Sequence, residues 1–247
     1  MNFLMDVMGN HRSIRRFLDK DISPELINRI FEVSQWASTS NHLQAYSVIV
    51  VRGAEKKQSL SGLCGNQEHI IECPVFLVFC ADLNRIKISH EIENKPAHLH
   101  TVEPLLVATV DVALFGQNVL LASESLGLGG VFIGGIRNNP DEVCRLLNIP
   151  DHVYPVFGMC LGYPDKDKMN EQKPRLPVTA IVHEEEYDHE KLRGLIHEYN
   201  DEMKRYYETR ATGKRSQTWT DYVSDLYMQP RRQHMSKFLE GKKFGFE

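Results

Sequence analysis

Residues 103–135, EPLLVATVDVALFGQNVLLASESLGLGGVFIGG, decide how this chain of 247 residues is put together. From residue 103 to 126 the pattern is helical. Val107, Val110, Ala113, Leu114, Val119, Leu120 and Ala122, with the small Gly116 and Ser123, leave little polar surface. A helix apolar nearly all round has to be covered on most sides. It is therefore expected at the centre of the molecule, or shared with a second copy. Gly127-Leu128-Gly129-Gly130 ends it with residues that tolerate positive φ. Val131-Phe132-Ile133 then reads as a short strand, stopped by Gly134-Gly135. Paired glycines after a strand let backbone N–H groups approach a flat ligand closely; a plain tight turn has the same sequence.

The flanking sequence alternates in the same way. Ser23-Pro24-Glu25 is a helix start, with Ile27, Ile30, Phe31, Ser34 and Ala37 on one face. Residues 46–51 and 75–81 read as buried strands, 54–64 as a short helix, and 154–161 as a fourth strand. Asn139-Pro140-Asp141-Glu142 opens a helix to Leu147, a charged helix covers about 190–209, and the C-terminal arm (188–247) is helical. Between 83 and 102 the chain is polar and His-rich without clear periodicity, and reads as a surface excursion. Strands alternating with helices indicate α/β or α+β. No repeat or linker divides the chain, so one domain over 1–247 is expected.

A net charge of −4 excludes a general nucleic-acid footprint. Residues 204–247 nevertheless carry a local balance of +5, which leaves −9 on the remainder and points to a local anion contact. Five scattered cysteines without C-x-x-C argue against a disulfide framework or structural zinc and for a reducing compartment. The N-terminal MNFLMDVMGN lacks the features of a signal peptide, and a soluble, cytoplasmic protein is expected.

Two cationic clusters carry the chemistry. His11-Arg12-Ser13-Ile14-Arg15-Arg16-Phe17 interleaves phosphate-gripping donors with two apolar anchors, and Lys173-Pro174-Arg175-Leu176-Pro177 sets two cations on a stiff backbone. Each alone also fits a solvated basic face. No G-x-x-x-x-G-K-[ST], G-x-S-x-G or G-x-G-x-x-G occurs. His90, His98, His100, Glu91 and Glu93 fit no usual metal spacing, so a polar loop is preferred and no metal is expected. What remains, with 38–41 and Gln67, is an inventory of donors for a phosphorylated aromatic cofactor that itself performs the redox chemistry.

HRSIRRF, ASTSNHLQAYS, GNQEHI, GQNxxLAxESLGLGGVFIGGIRNN, FGMCLGYP, KPRLP and YYETRATGKRxxTW occur in order from residue 11 onward. Together they resemble the NADPH-dependent flavin reductases and oxygen-insensitive nitroreductases of the nitroreductase superfamily, in its larger group A form. The resemblance implies an α+β fold with a mostly antiparallel central sheet flanked by helices. It further implies an intertwined homodimer with a C-terminal arm, and one FMN per subunit held by residues of both chains. Carried over by motif, His11, Arg12, Ser13, Arg15, Thr39, Ser40, Gln67, Lys173 and Arg175 bind FMN, and Phe132, Ile133, Gly134 and Gly135 lie along its ring. Arg210 meets the NADPH 2′-phosphate, assisted by Arg15 and Arg231. His42 departs from the aromatic or aliphatic side chain common there. The implied activity is ping-pong, two-electron transfer from NADPH to free flavin, nitroaromatics or quinones, with no side-chain nucleophile. A redox-silent flavin- or nucleotide-binding protein is the alternative, and a nucleic-acid-binding arm a more remote one.

Overall fold

A computed structural model describes residues 2–245. The helices are α1 (Phe3–Gly9), α2 (Pro24–Ser34), α3 (Ala54–Leu63), α4 (Glu68–Glu72), α5 (Asn84–Ile92), α6 (Val102–Ser125), α7 (Pro140–Leu147), α8 (Leu192–Thr209), α9 (Trp219–Tyr227) and α10 (Met235–Gly241). The strands are β1 (Tyr46–Val51), β2 (Val75–Asp82), β3 (Gly129–Ile133) and β4 (Val153–Gly162). They form one sheet in the order β1-β2-β4-β3, and every neighbouring pair is antiparallel. The fold is α+β, as expected. The described chain forms two compact units. One takes the residues up to Asp167 together with those from Arg232 on, and the other is Lys168–Arg231.

In the first unit β2 is buried along its whole length, with Phe76, Leu77, Val78 and Phe79 fully enclosed. β1 is richer in β-branched residues but sits at the sheet edge, where Val48, Ile49 and Val50 stay partly exposed. Composition specified a strand there without specifying how deeply it is buried. α6 packs on α2, β1, β2 and β3. By length and composition it could cross a membrane; here Leu105, Ala108, Val112, Phe115, Val119 and Leu120 are buried. Leu106, Val110 and Leu114, spaced four apart on one face, remain exposed.

The expected excursion at 83–102 contains α5. Asp82 Oδ1 accepts the Asn84 N–H at 2.9 Å, and Arg85 donates to the carbonyls of Gln44 and Tyr46. Those contacts, rather than an amphipathic pattern, hold the helix in place. Gly129 and Gly130, read as part of a helix stop, already belong to β3. After the second unit the chain rejoins the first with α10, and there Phe244 stacks edge-on against Tyr154 at 5.0 Å. In the second unit Tyr199, Met203 and Tyr207 of α8 form a small core with Leu176, Tyr206 and Trp219.

Candidate functional site

The basic segment is held beside β3 by its apolar members. The Ile14 N–H donates to the Gly130 carbonyl at 2.9 Å, and Phe17 bridges to Pro164. Gly129 makes the approach possible, since a Cβ there would lie 2.5 Å from Ile14 Cγ1. With Ile14 buried, Arg12, Ser13 and Arg15 are exposed and His11 is half-buried. Arg16 is turned aside onto α4, 2.7 Å from Glu72 and 3.7 Å from Glu68. The segment therefore offers three cationic or neutral donors besides its histidine. Arg16 is occupied by ion pairs.

The end of β3 supplies a second wall. Gly134 and Gly135 open a 3-10 turn over Gly134–Arg137, clamped where Arg137 donates to the Val156 carbonyl. Gly135 is packed so closely that a Cβ would lie 2.4 Å from the Cys64 carbonyl oxygen and 2.6 Å from Gln67 Nε2. Gln67 itself donates to that carbonyl at 2.8 Å and accepts from Ser61 Oγ at 2.9 Å through its own carbonyl. Its side-chain oxygen is the acceptor left for a ligand edge. Phe132 is the exposed residue of an otherwise buried strand, edge-on to Phe157 at 5.1 Å. The Ile133 side chain is buried, so only its backbone faces a ligand. The nearby Cys64 thiol is buried and pushed up to about 12, which leaves it no nucleophile.

Sequence reasoning passed over two neighbours of this wall. His69 on α4 has a buried Nε2 without a hydrogen-bond partner. Burial first, and then the charge of Arg15, holds its imidazole below the ordinary value. Glu124, in the last turn of α6, meets His11 Nδ1 at 2.6 Å. An acid at a helix C-terminus opposes the helix dipole, and that was the one signal in the sequence.

Thr39 and Ser40 are fixed elsewhere. A 3-10 turn at Ser40–His42 is clamped by the buried Asp111 of α6, which accepts the N–H groups of Ser40 at 3.0 Å and Ala45 at 3.1 Å. Between them Asn41, His42 and Gln44 hold positive φ of 47°, 58° and 51°. Side chains other than glycine adopt that conformation only when surrounding structure enforces it. Asp111 and Glu124 are thirteen residues apart on one helix, a rise of about 20 Å. Among the described residues, Thr39 and Ser40 are anchored at the Asp111 level of this helix and His11 at the Glu124 level.

Lys173, Arg175, Arg210 and Arg231 all belong to the second unit. Tyr199 Oη donates to the Pro174 carbonyl at 3.0 Å and pins the KPRLP segment to α8. Lys173 and Arg175 are exposed. Three cations surround the buried Tyr207 ring: Lys173 at 5.3 Å, Arg210 at 4.9 Å and Arg215 at 4.0 Å. Burial pushes this phenol up, but hydrogen bonds from Lys173 and Arg215 outweigh it and leave the group below its ordinary value. Arg210 Nε also donates to Gly213 at 2.9 Å. Arg231 is exposed at the end of the unit. The sequence places Arg215 in a basic Gly213-Lys214-Arg215 segment after Arg210 but gives no sign of the Tyr207 ring that it covers.

A flat, phosphate-bearing group fits the residues beside β3 in the first unit. They present exposed guanidinium and hydroxyl donors with a half-buried imidazole at one end, and a glycine-lined backbone with an aromatic side chain at the other. Residues 8–163 match the Nitroreductase family, and residues 173–247 the Nitroreductase family, C-terminal domain. The chain is 40% identical to an FMN reductase (NADPH) of Bacillus subtilis, with 99% of each chain covered. It is 39% identical to a Cr(VI) reductase of a Pseudomonas species, covering 98% of this chain and 99% of that one. The solved structure of B. megaterium NfrA2 superposes with a TM-score of 0.96 at 39% identity, covering 100% of both chains. By sequence along its whole length and by fold, the chain belongs to the nitroreductase family.

Proposed function

We propose that this protein is an FMN-dependent NADPH oxidoreductase. The observation that carries the proposal is the placement of His11, Arg12, Ser13 and Arg15 on one side of β3, with Gln67 and Gly135 locked together at its end. The chemistry that FMN supplies when bound is acceptance of hydride from NADPH and its delivery, in a second half-reaction, to an oxidised acceptor. The chain's own residues bind and orient. His11, Arg12 and Ser13 hold the phosphate, and Gln67 and the glycine backbone address the polar ring edge. Arg15, with Lys173 and Arg175, favours negative charge on the ring through charge-assisted hydrogen bonds. Arg210 selects NADPH by its 2′-phosphate, assisted by Arg15 and Arg231.

The working form is a homodimer. The exposed Leu106, Val110 and Leu114 need cover, and obligate interfaces resemble a core cut in half. Dimerisation also gives Thr39 and Ser40 a role: held about 20 Å along α6 from the His11 end, they serve the flavin of the other subunit. The acceptors are free flavin, nitroaromatics and quinones. Chromate, an anion suited to the same cationic surroundings, joins them on the strength of the Pseudomonas relative. All five cysteines are free, which supports work in the cytoplasm.

Steady-state turnover with NADPH and each acceptor in turn tests this reading. Parallel initial-rate lines are expected for a two-step exchange. A protein that binds FMN but oxidises NADPH with none of these acceptors would instead be redox-silent.

A further inference from the structure

We propose that Glu124 is a positioning residue for the phosphate end of the cofactor. Its carboxylate grips His11 Nδ1 and thereby aims Nε2 at the phosphate. The proposal rests on the FMN reading above and adds to it a residue that contacts no ligand.

Four observations carry it. Glu124 occupies the last turn of α6, where the carbonyl ends and the dipole disfavour an anion. Its side chain is only 12% exposed, against 27% for His11. Oε1 lies 2.6 Å from His11 Nδ1, while Oε2 is buried with no hydrogen-bond partner. A half-satisfied carboxylate at the wrong end of a helix costs stability, and an apolar side chain would fill the place more cheaply. Finally, the contact joins residues 113 apart in sequence, tying the donor segment to the central helix.

The chemistry explains why such a group is useful. A histidine with one nitrogen engaged by a carboxylate has its ring orientation fixed by that bond. When the other nitrogen meets a phosphate, the ring bridges two anions by one hydrogen bond from each nitrogen. The acid helps only ligands that put an anion at Nε2. A merely structural tie would help every ligand of the site equally.

Riboflavin, which lacks the phosphate, separates the two roles. Apoprotein of the full chain is titrated with FMN and with riboflavin, following flavin fluorescence, for the wild type and Glu124→Gln. Glutamine keeps the shape and loses the charge. FMN affinity is expected to fall about tenfold or more, the loss of one hydrogen bond between charged groups, with riboflavin affinity unchanged. Equal losses for both flavins, or no loss for either, would overturn the proposal. Should Glu124→Gln fail to fold, Glu124→Asp, which withdraws the same charge from Nδ1, is titrated in its place and must show the same selective loss. A wild-type protein that binds FMN no better than riboflavin would instead count against the phosphate site itself.

Discussion

Replacing Gly135 by alanine, beside the matched replacement of Gly134, separates packing from ligand contact at adjacent positions. An added Cβ at 135 would sit 2.4 Å from the Cys64 carbonyl oxygen and 2.6 Å from Gln67 Nε2. The first of these is backbone and cannot swing away. Reaching even a tight 3.0 Å requires a shift of at least about 0.6 Å, in a turn already anchored by Ser61 and Gln67. Overpacking of this kind costs about 1–3 kcal/mol, and losing the Gln67–Cys64 hydrogen bond adds about 1 kcal/mol. For a protein of this size the sum lowers Tm by about 5–15 °C. At Gly134 the nearest atom to an added Cβ is Arg137 Nη2 at 3.7 Å, an ordinary contact, and the backbone φ is not positive. Gly134→Ala should therefore melt within about 1–2 °C of wild type. Position 134 lines the proposed flavin site, so FMN retention should still weaken. Thermal melts of the apoproteins with parallel FMN titrations check both. A Gly135→Ala protein that melts with the wild type would refute the packing argument.

Arg210→Ala is expected to raise KM for NADPH about 10–100-fold while leaving NADH kinetics nearly unchanged, as loss of a contact made equally in ground and transition states. Equal losses with both coenzymes would show that the Arg210–Tyr207 stack supports the fold instead. Val110→Asp or Leu114→Asp should yield monomers in sedimentation that no longer retain FMN; a dimer with full flavin would exclude this face as the interface. His69 is held below its ordinary 6.5 by burial, and His152 shifts in the same direction for the same first cause. Their contribution is complete above that pH and is lost as pH falls through the lowered folded-state value. Tm should thus drop on acidification, and His69→Gln should flatten the curve; an unchanged curve would contradict the burial of that ring.

Local signals were legible wherever they were strong. The Ser23 cap with Pro24, the apolar run of β2 and the central helix all lie where periodicity places them. The cationic segment was legible because Ile14 and Phe17 alternate with its donors. Features held by partners distant in sequence were hidden. α5 is held through Arg85 by the carbonyls of Gln44 and Tyr46, and the position of β1 at the sheet edge follows from strand order. Asp111 reads as one polar residue in an apolar helix, yet it clamps both ends of the 40–45 loop. Strand alternation already separates Phe132 from Ile133, one exposed and one buried, though the motif names them together.

Anaerobic mixing of the purified, FMN-loaded protein with NADPH tests the central claim most directly. The visible flavin absorbance should bleach with consumption of one NADPH per flavin, and a nitroaromatic or quinone added afterwards should restore it. A protein that remains yellow under NADPH, or that takes up no FMN at all, would contradict the assignment.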